Sequence, residues 1–308
     1  MIETFQRALP HGISLSCRAS GAPGRPVLVF LHGFPEGAFI WDAFLEYFSQ
    51  PENGGYRCVA PNLRGFERST APQEIEAYRP KHLVQDIAAL VATETQGGQP
   101  LACLVAHDWG GAVAWNFANQ LAHLTEKLAI INSPHPGTFL RELKENPRQQ
   151  ASSAYMNFLI QPDAEDLLTR HDFERLWAFF SDMAVAGQPL AWMTEAVKDQ
   201  YREVWSAGLR GGCNYYRASP LRPPRPQDPA AAAVNIPVSM LTVAIPTMVV
   251  WGMGDTALPP ELLDGLEHYI PQLTLHKVDG ATHWIVHEQP QLLTHFLQEF
   301  LHARSDAQ

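Results

Sequence analysis

Apolar positions along the chain fall into two kinds of segment that alternate. The first kind is a short, mostly apolar run, such as Val27-Leu28-Val29-Phe30-Leu31, the run opening at Leu101, Leu128–Ile131, and Thr247-Met248-Val249-Val250-Trp251, with Tyr56–Ala60 another short strand. Such runs, rich in β-branched members and bounded by turn residues, predict strands buried on both faces. The second kind repeats with a helical period. Leu83, Val84, Ile87, Leu90 and Val91 share one face of 81–95, and Val113, Ala114, Phe117, Ala118 and Leu121 share one face of the segment after the Leu101 run. Residues 40–49, 260–269 and about 289–302 also fit helices. Residues 4–9 and 12–18 predict two strands joined at His11-Gly12, and 273–278 predicts a last one. Strands that alternate with helices predict an α/β fold with a parallel sheet covered on both faces.

The alternation stops at residue 134 and resumes near 241. Between them lies no convincing strand, only helical patterns rich in aromatics, including Tyr155, Phe158, Phe173, Trp177, Phe179, Phe180, Trp192, Tyr201 and Trp205. The Pro-rich segment Pro220–Pro226 and an alanine run at 230–233 close the stretch. The expected organisation is one core built from 1–133 and 241–308, with 134–240 inserted as an all-helical cap on a semi-rigid return linker.

The stretch Leu101–Gly111 reads Leu-Ala-Cys-Leu-Val-Ala-His-Asp-Trp-Gly-Gly. It predicts a strand, a sharp turn and a helix, with small residues at 106, 110 and 111 where the backbone doubles back. The residue at the apex of such an elbow is pushed out of the sheet; the usual pattern is Gly-x-Ser-x-Gly. Here the apex is Asp108. A serine needs a base before it attacks, whereas a carboxylate is ionised at neutral pH and attacks directly. The N-terminus of the following helix adds a field favourable to negative charge. Attack on an sp3 carbon makes an ester whose carbonyl belongs to the protein. Hydrolysis of that ester then requires an oxyanion hole, a histidine base and an acid that orients it. A bland alternative is that Asp108 is only a helix N-cap.

Composition narrows the picture slightly. A chain of 308 residues with 46% apolar content can bury a large core, and a net charge of −10 speaks against nucleic acid or acidic lipid as a partner. Cys17, Cys58, Cys103 and Cys213 have no metal or redox spacing and read as reduced packing residues in a cytoplasmic protein. The first residues lack the basic start and apolar run of a signal peptide, and no stretch is long and apolar enough to span a membrane. His283 and His287 stand four apart, a spacing that suits metal, but no glutamate lies between them and no third ligand is evident. The expectation is therefore no metal and no organic cofactor.

Four motifs in combination resemble the α/β-hydrolase fold, and within it the epoxide hydrolases: His32-Gly33-Phe34-Pro35 after the third strand, His107-Asp108-Trp109-Gly110-Gly111 at the elbow, Asp255 after a late strand, and His283-Trp284 near the end. The haloalkane dehalogenases are similar, less closely. The resemblance covers nearly the whole chain and implies a mostly parallel eight-stranded sheet flanked by helices. Nucleophile, acid and histidine follow in the chain order of this fold. The resemblance assigns Asp108 as nucleophile, His283 as base and Asp255 as orienting acid. A related family position for the acid falls near Asn132, which cannot carry the charge.

The backbone N–H groups of Phe34 and Trp109 are the expected oxyanion hole, each such donor contributing about 2.7–4 kcal/mol in a related case. His32, Pro35, Trp109, Trp177 and Trp284 are the expected substrate pocket. Epoxide hydrolases carry two lid tyrosines that protonate the epoxide oxygen. Tyr155, by its distance from Pro162, and Tyr216, in Asn214-Tyr215-Tyr216-Arg217, match them, with Tyr215 the competing assignment. A dehalogenase would instead need N–H donors for a halide, such as Trp109 and Trp177, and those enzymes often have Asn where Phe34 stands. Fluoroacetate-type relatives need arginines near 109 and 112, where this chain has Trp109 and Ala112. The loop Arg64-Gly65-Phe66-Glu67-Arg68-Ser69 resembles a family loop, with Asn62 and Glu67 in place of Asp and Gly, and reads as structural. The sequence thus implies hydrolysis of an apolar aryl or alkyl epoxide by water to a vicinal diol. Haloalkane dehalogenation is the alternative, and a non-catalytic binding protein on the same fold is further off. A homodimer is compatible with the chain.

Overall fold

The computed structural model describes residues 1–95, 98–184, 190–225 and 228–303. Pro226, the last residue of the Pro-rich segment, lies outside them. The strands are β1 (Glu3–Ala8), β2 (Ser14–Ser20), β3 (Val27–Leu31), β4 (Arg57–Pro61), β5 (Cys103–His107), β6 (Leu128–Ile131), β7 (Thr247–Gly252) and β8 (Leu273–Val278). They form one sheet in the order β1-β2-β4-β3-β5-β6-β7-β8. β1 and β2 pair antiparallel with each other, and β2 pairs antiparallel with β4; every other neighbour is parallel.

The unbroken apolar runs have a simple cause. Side chains alternate faces along a strand, and both faces of this sheet are covered. Val27, Val29, Leu31, Leu104, Ala106, Leu128, Ile130, Val249 and Trp251 enter one core. Leu28, Phe30, Cys103, Val105, Ala129, Ile131, Met248 and Val250 enter the other. The helices that cover the sheet include α1 (Asp42–Phe48), α2 (Pro80–Glu94) and α3 (Trp109–Gln120).

From α4 (Pro136–Glu145) to α11 (Pro229–Ala233) the described residues build helices and no strand: between them come α5 (Pro147–Ser152), α6 (Met156–Leu159), α7 (Ala164–Leu168), α8 (Arg170–Asp182), α9 (Glu195–Ser206) and α10 (Arg210–Ala218). Local chemistry fixes several starts. Proline stands at the first position of α2, α4 and α5, where its missing N–H is not needed. Asn146 and Thr194 cap α5 and α9 with side-chain oxygens. The two ends of this helical stretch meet at His135. Its Nδ1 accepts from Gly137 N at the start of α4, and its Nε2–H donates to the carbonyl of Leu241 at 2.8 Å. Burial lowers the His135 pKa to about 4, consistent with a neutral ring in this role.

The periodicity misleads in two places. Residues 260–269 are not one helix but two 3-10 turns, Pro260–Leu263 and Leu266–His268, broken by Gly265 at φ 80°. The segment 40–49 begins as a 3-10 turn, Ala38–Trp41, before α1. The last helix, α13 (Pro290–His302), falls where the pattern puts it; the short α12 (Ile285–Glu288) before it stays separate because a residue before proline is pushed out of helical geometry and Gln289 sits at φ −133°, ψ 46°. Among the described residues no helix is long and apolar enough to cross a membrane.

Candidate active site

β5 delivers the chain to Asp108, which stands at φ 50°, ψ −121°, a conformation costly for any residue with a side chain. The surroundings enforce it. A Cβ on Gly110 would lie 2.5 Å from the Leu31 carbonyl oxygen and 2.6 Å from that of His32, so only glycine lets α3 start so close to β3. A Cβ on Gly33 would collide with the Asp108 carboxylate. Ser133 Oγ donates to the Asp108 carbonyl at 2.6 Å, which ties the elbow to the end of β6.

The Asp108 carboxylate is held from two sides. The Phe34 N–H donates to Oδ1 at 2.8 Å. His283 Nε2 lies 3.7 Å from Oδ2. The other face of that ring, Nδ1–H, donates to Asp255 Oδ2 at 2.7 Å. Asp255 is itself fixed: Oδ1 accepts from Ala257 N and Leu258 N, and Oδ2 also accepts from Asn132 Nδ2 at 2.8 Å. Asn132, at φ 37° and fully buried, binds Gly252 N through its Oδ1. The residue set aside at the alternative acid position thus serves as a clamp on the acid. Burial works against charge on His283, but Asp255, by charge and hydrogen bond, and then Asp108 raise its pKa to about 9.

Behind the base lies a buried polar cluster that the sequence left unassigned. Glu36 is fully buried. Its Oε2 faces His107 Nδ1 at 3.1 Å; its Oε1 accepts from Tyr201 OH at 2.8 Å and from His287 Nε2 at 2.6 Å. Burial opposes its charge, yet His287 and the hydrogen bonds from both histidines hold the carboxyl well below the usual range. His107 Nε2–H donates to the His283 carbonyl at 2.9 Å, so the cluster anchors the loop that carries the base. His287 is therefore a partner of Glu36, and its spacing from His283 reflects two sides of one network. The available signal was polarity: His107 ends an otherwise apolar strand, and Glu36 follows the His-Gly-Phe-Pro motif directly.

A cavity of about 280 Å³ opens beside Asp108, with walls that include Trp109, Val113, Phe139, Met156 and Leu258. Tyr155 and Tyr216 both face it. Tyr216 packs edge-on to Trp109, with ring centroids 5.0 Å apart, and to Phe34 at 5.4 Å. Burial first pushes both hydroxyls well above the usual tyrosine range, followed by Asp108 for Tyr155 and by Tyr155 and then Asp108 for Tyr216, which keeps their protons on. Tyr215 donates instead to the Arg64 carbonyl at 3.0 Å.

The cavity corrects most of the expected pocket. Trp109 lines it, but His32, Pro35, Trp177 and Trp284 do not. His32 is buried and neutral, its pKa lowered by burial to about 4; Nδ1–H donates to the Gly33 carbonyl and Nε2 accepts from Leu63 N. The Pro35 carbonyl takes the Trp205 indole N–H at 2.6 Å. Trp284 donates to the Phe180 carbonyl and is fully buried. Trp177 donates to the Asp172 carbonyl at 2.7 Å, so it offers no N–H for a halide. That contact follows from a left-handed turn at His171, Asp172 and Phe173, which the helical pattern did not reveal. The Arg64 loop is structural: Arg64 makes a two-pronged ion pair with Asp86 at 2.6 and 2.7 Å. Glu67, where a glycine is common, stands at φ 50°, and its carboxylate accepts from Asn62 Nδ2 and Arg68 N.

A strained carboxylate on a strand-to-helix elbow, faced by a histidine–aspartate pair, defines a class of hydrolase. The family profile described as alpha/beta hydrolase fold matches residues 26–290. The chain belongs to the α/β-hydrolase fold family and, within it, to the epoxide hydrolase family. The AB hydrolase superfamily protein YfhM of Bacillus subtilis is 34% identical over 94% of this chain and 95% of its own. Epoxide hydrolase 3 of Xenopus tropicalis is 31% identical over 96% of this chain and 77% of its own. Among solved structures, a Bacillus megaterium epoxide hydrolase in complex with an inhibitor superposes with a TM-score of 0.85 at 30% identity, covering 97% of this chain and all of that one.

Proposed function

We propose that this chain hydrolyses epoxides to vicinal diols through a covalent ester on Asp108. The observation that carries the reading is the arrangement of one carboxylate between the Phe34 amide, the His283–Asp255 pair and two protonated tyrosines in an apolar cavity. The names of its relatives support it.

In the first step Asp108 Oδ2 attacks an oxirane carbon. A C–O bond forms, the oxirane C–O bond breaks, and the oxygen takes a proton from Tyr155 or Tyr216. In the second step His283 Nε2 removes a proton from water, and the hydroxide adds to the Asp108 carboxyl carbon. The oxyanion sits at Oδ1 against the Phe34 N–H, with the Trp109 N–H as the second donor. Collapse expels the glycol oxygen, which takes the proton back from His283. Asp108 is regenerated as its acid, and that proton restores the tyrosinate through solvent. The chain's residues account for each proton, so the scheme calls on no cofactor. The four buried, unpaired thiols support a reducing compartment such as the cytoplasm.

The test is a single turnover in water labelled with ¹⁸O. Labelled Asp108 in a peptide digest is the expected result. His283→Gln should stop at the ester and add the substrate mass to the protein. Diol formed with Asp108 unlabelled would refute the covalent route.

A further inference from the structure

The cavity extends well past the reacting groups. Trp109, Ala112, Val113 and Asn116 all line it, so it follows one face of α3 away from Asp108. Trp109 and Asn116 are two helical turns apart, about 10 Å along the axis. Ile236 and Met240 also line the cavity, and Met240 is 56% exposed. Asn119, one turn further along α3, binds the carbonyls of Ser239 and Thr242 on either side of Met240.

Nearly every polar side chain on this wall is occupied. Tyr78 donates to the Pro72 carbonyl, Tyr215 to that of Arg64, and Ser133 to that of Asp108. Ser219 accepts from Leu221 N. Asp108, Tyr155 and Tyr216 belong to the reaction. Asn116 remains. Its Nδ2 donates to the Ala112 carbonyl at 2.8 Å, and a carbonyl can only accept, so the amide is oriented with nitrogen toward the helix. Among the described residues its Oδ1 accepts no hydrogen bond, and Asn116 lines the cavity.

We infer that Asn116 is a specificity residue, selecting apolar epoxides that carry a hydrogen-bond donor, a hydroxyl or amide N–H, about 10 Å from the oxirane. An extended chain covers about 3.5 Å for every three bonds, so the donor stands about nine bonds from the reacting carbon. A flexible substrate with an apolar middle fits the wall between the two polar ends. This inference rests on the epoxide reading of the same site.

The experiment compares 1,2-epoxydecane with 9,10-epoxydecan-1-ol, in wild type and Asn116→Leu. The wild type should favour the hydroxylated substrate about 3- to 10-fold in kcat/KM, the size of one net hydrogen bond. The gain should appear in KM, because a remote contact is made equally in ground and transition states. In the variant the ratio should fall to about one; a ratio is unaffected by a uniform loss of active protein. Moving the hydroxyl inward along the chain should erase the wild-type preference. Equal kcat/KM for the two substrates in wild type overturns the inference while leaving the epoxide reading intact. So does a preference that survives in the variant. Turnover of neither substrate removes the epoxide reading and this inference with it.

Discussion

Removing the charge of Asp108 should retune the base that acts on it. His283 Nε2 lies 3.7 Å from Asp108 Oδ2, and both groups are largely shielded from solvent. Coulomb attraction at that separation is about 1 kcal/mol in water and about 4 kcal/mol at an effective dielectric of 20. At about 1.4 kcal/mol per pK unit, this spans about one to three units. Asp255, by charge and by hydrogen bond, outweighs Asp108 in raising His283, so the lower half of the range applies. Asp108→Asn should therefore drop the His283 midpoint from about 9 by about one to two units. Esterification removes the same charge. Alkylation of Asp108 would thus create, near neutral pH, the free base that hydrolysis needs. The assay is NMR titration of the His283 ring in wild type and variant, assigned by comparison with His283→Gln. A midpoint unmoved by loss of the Asp108 charge would refute the reasoning, as would a wild-type midpoint near the ordinary histidine value.

Three further outcomes are expected. His283 has a folded pKa raised from 6.5 to about 9, so its stabilisation is fully present below pH 6.5 and is lost as pH rises through 9. Urea melts should show wild type losing about 3 kcal/mol more than His283→Gln between pH 6 and pH 10. Lys127 Nζ donates to the carbonyls of Phe300, Leu301 and Ala303, closing the C-terminus of α13 against the sheet. Lys127→Met should cost about 1–3 kcal/mol in thermal or urea unfolding, with turnover per folded molecule retained. Gly110→Ala forces a methyl against two backbone carbonyls and should destabilise by about 1–3 kcal/mol, with a larger loss in kcat as the Asp108 elbow shifts.

Much of the molecule was legible from one dimension. β3 and β6 match their apolar runs because continuous burial on two faces leaves no other pattern open to a strand. Asp108 was legible because small residues at 106, 110 and 111 surround a carboxylate at the single place where a strand must turn sharply into a helix. Asp255 and His283 were legible through position in the chain, and the resemblance to a family supplied that position.

The sequence did not determine what lies behind those residues. Glu36, His107, His287 and Tyr201 come from four separate segments, and Asn132 clamps Asp255 across a separation of 123 positions. A hydrogen bond between distant segments leaves no periodicity, so no local pattern reports it. The pocket was misjudged for the same reason. His32, Pro35, Trp177 and Trp284 stand beside the right motifs, but which way a side chain faces is decided by what packs against it. Sequence fixes which groups are available; only closure of the chain on itself decides which of them are satisfied inward and which, like Asn116, are left facing the cavity.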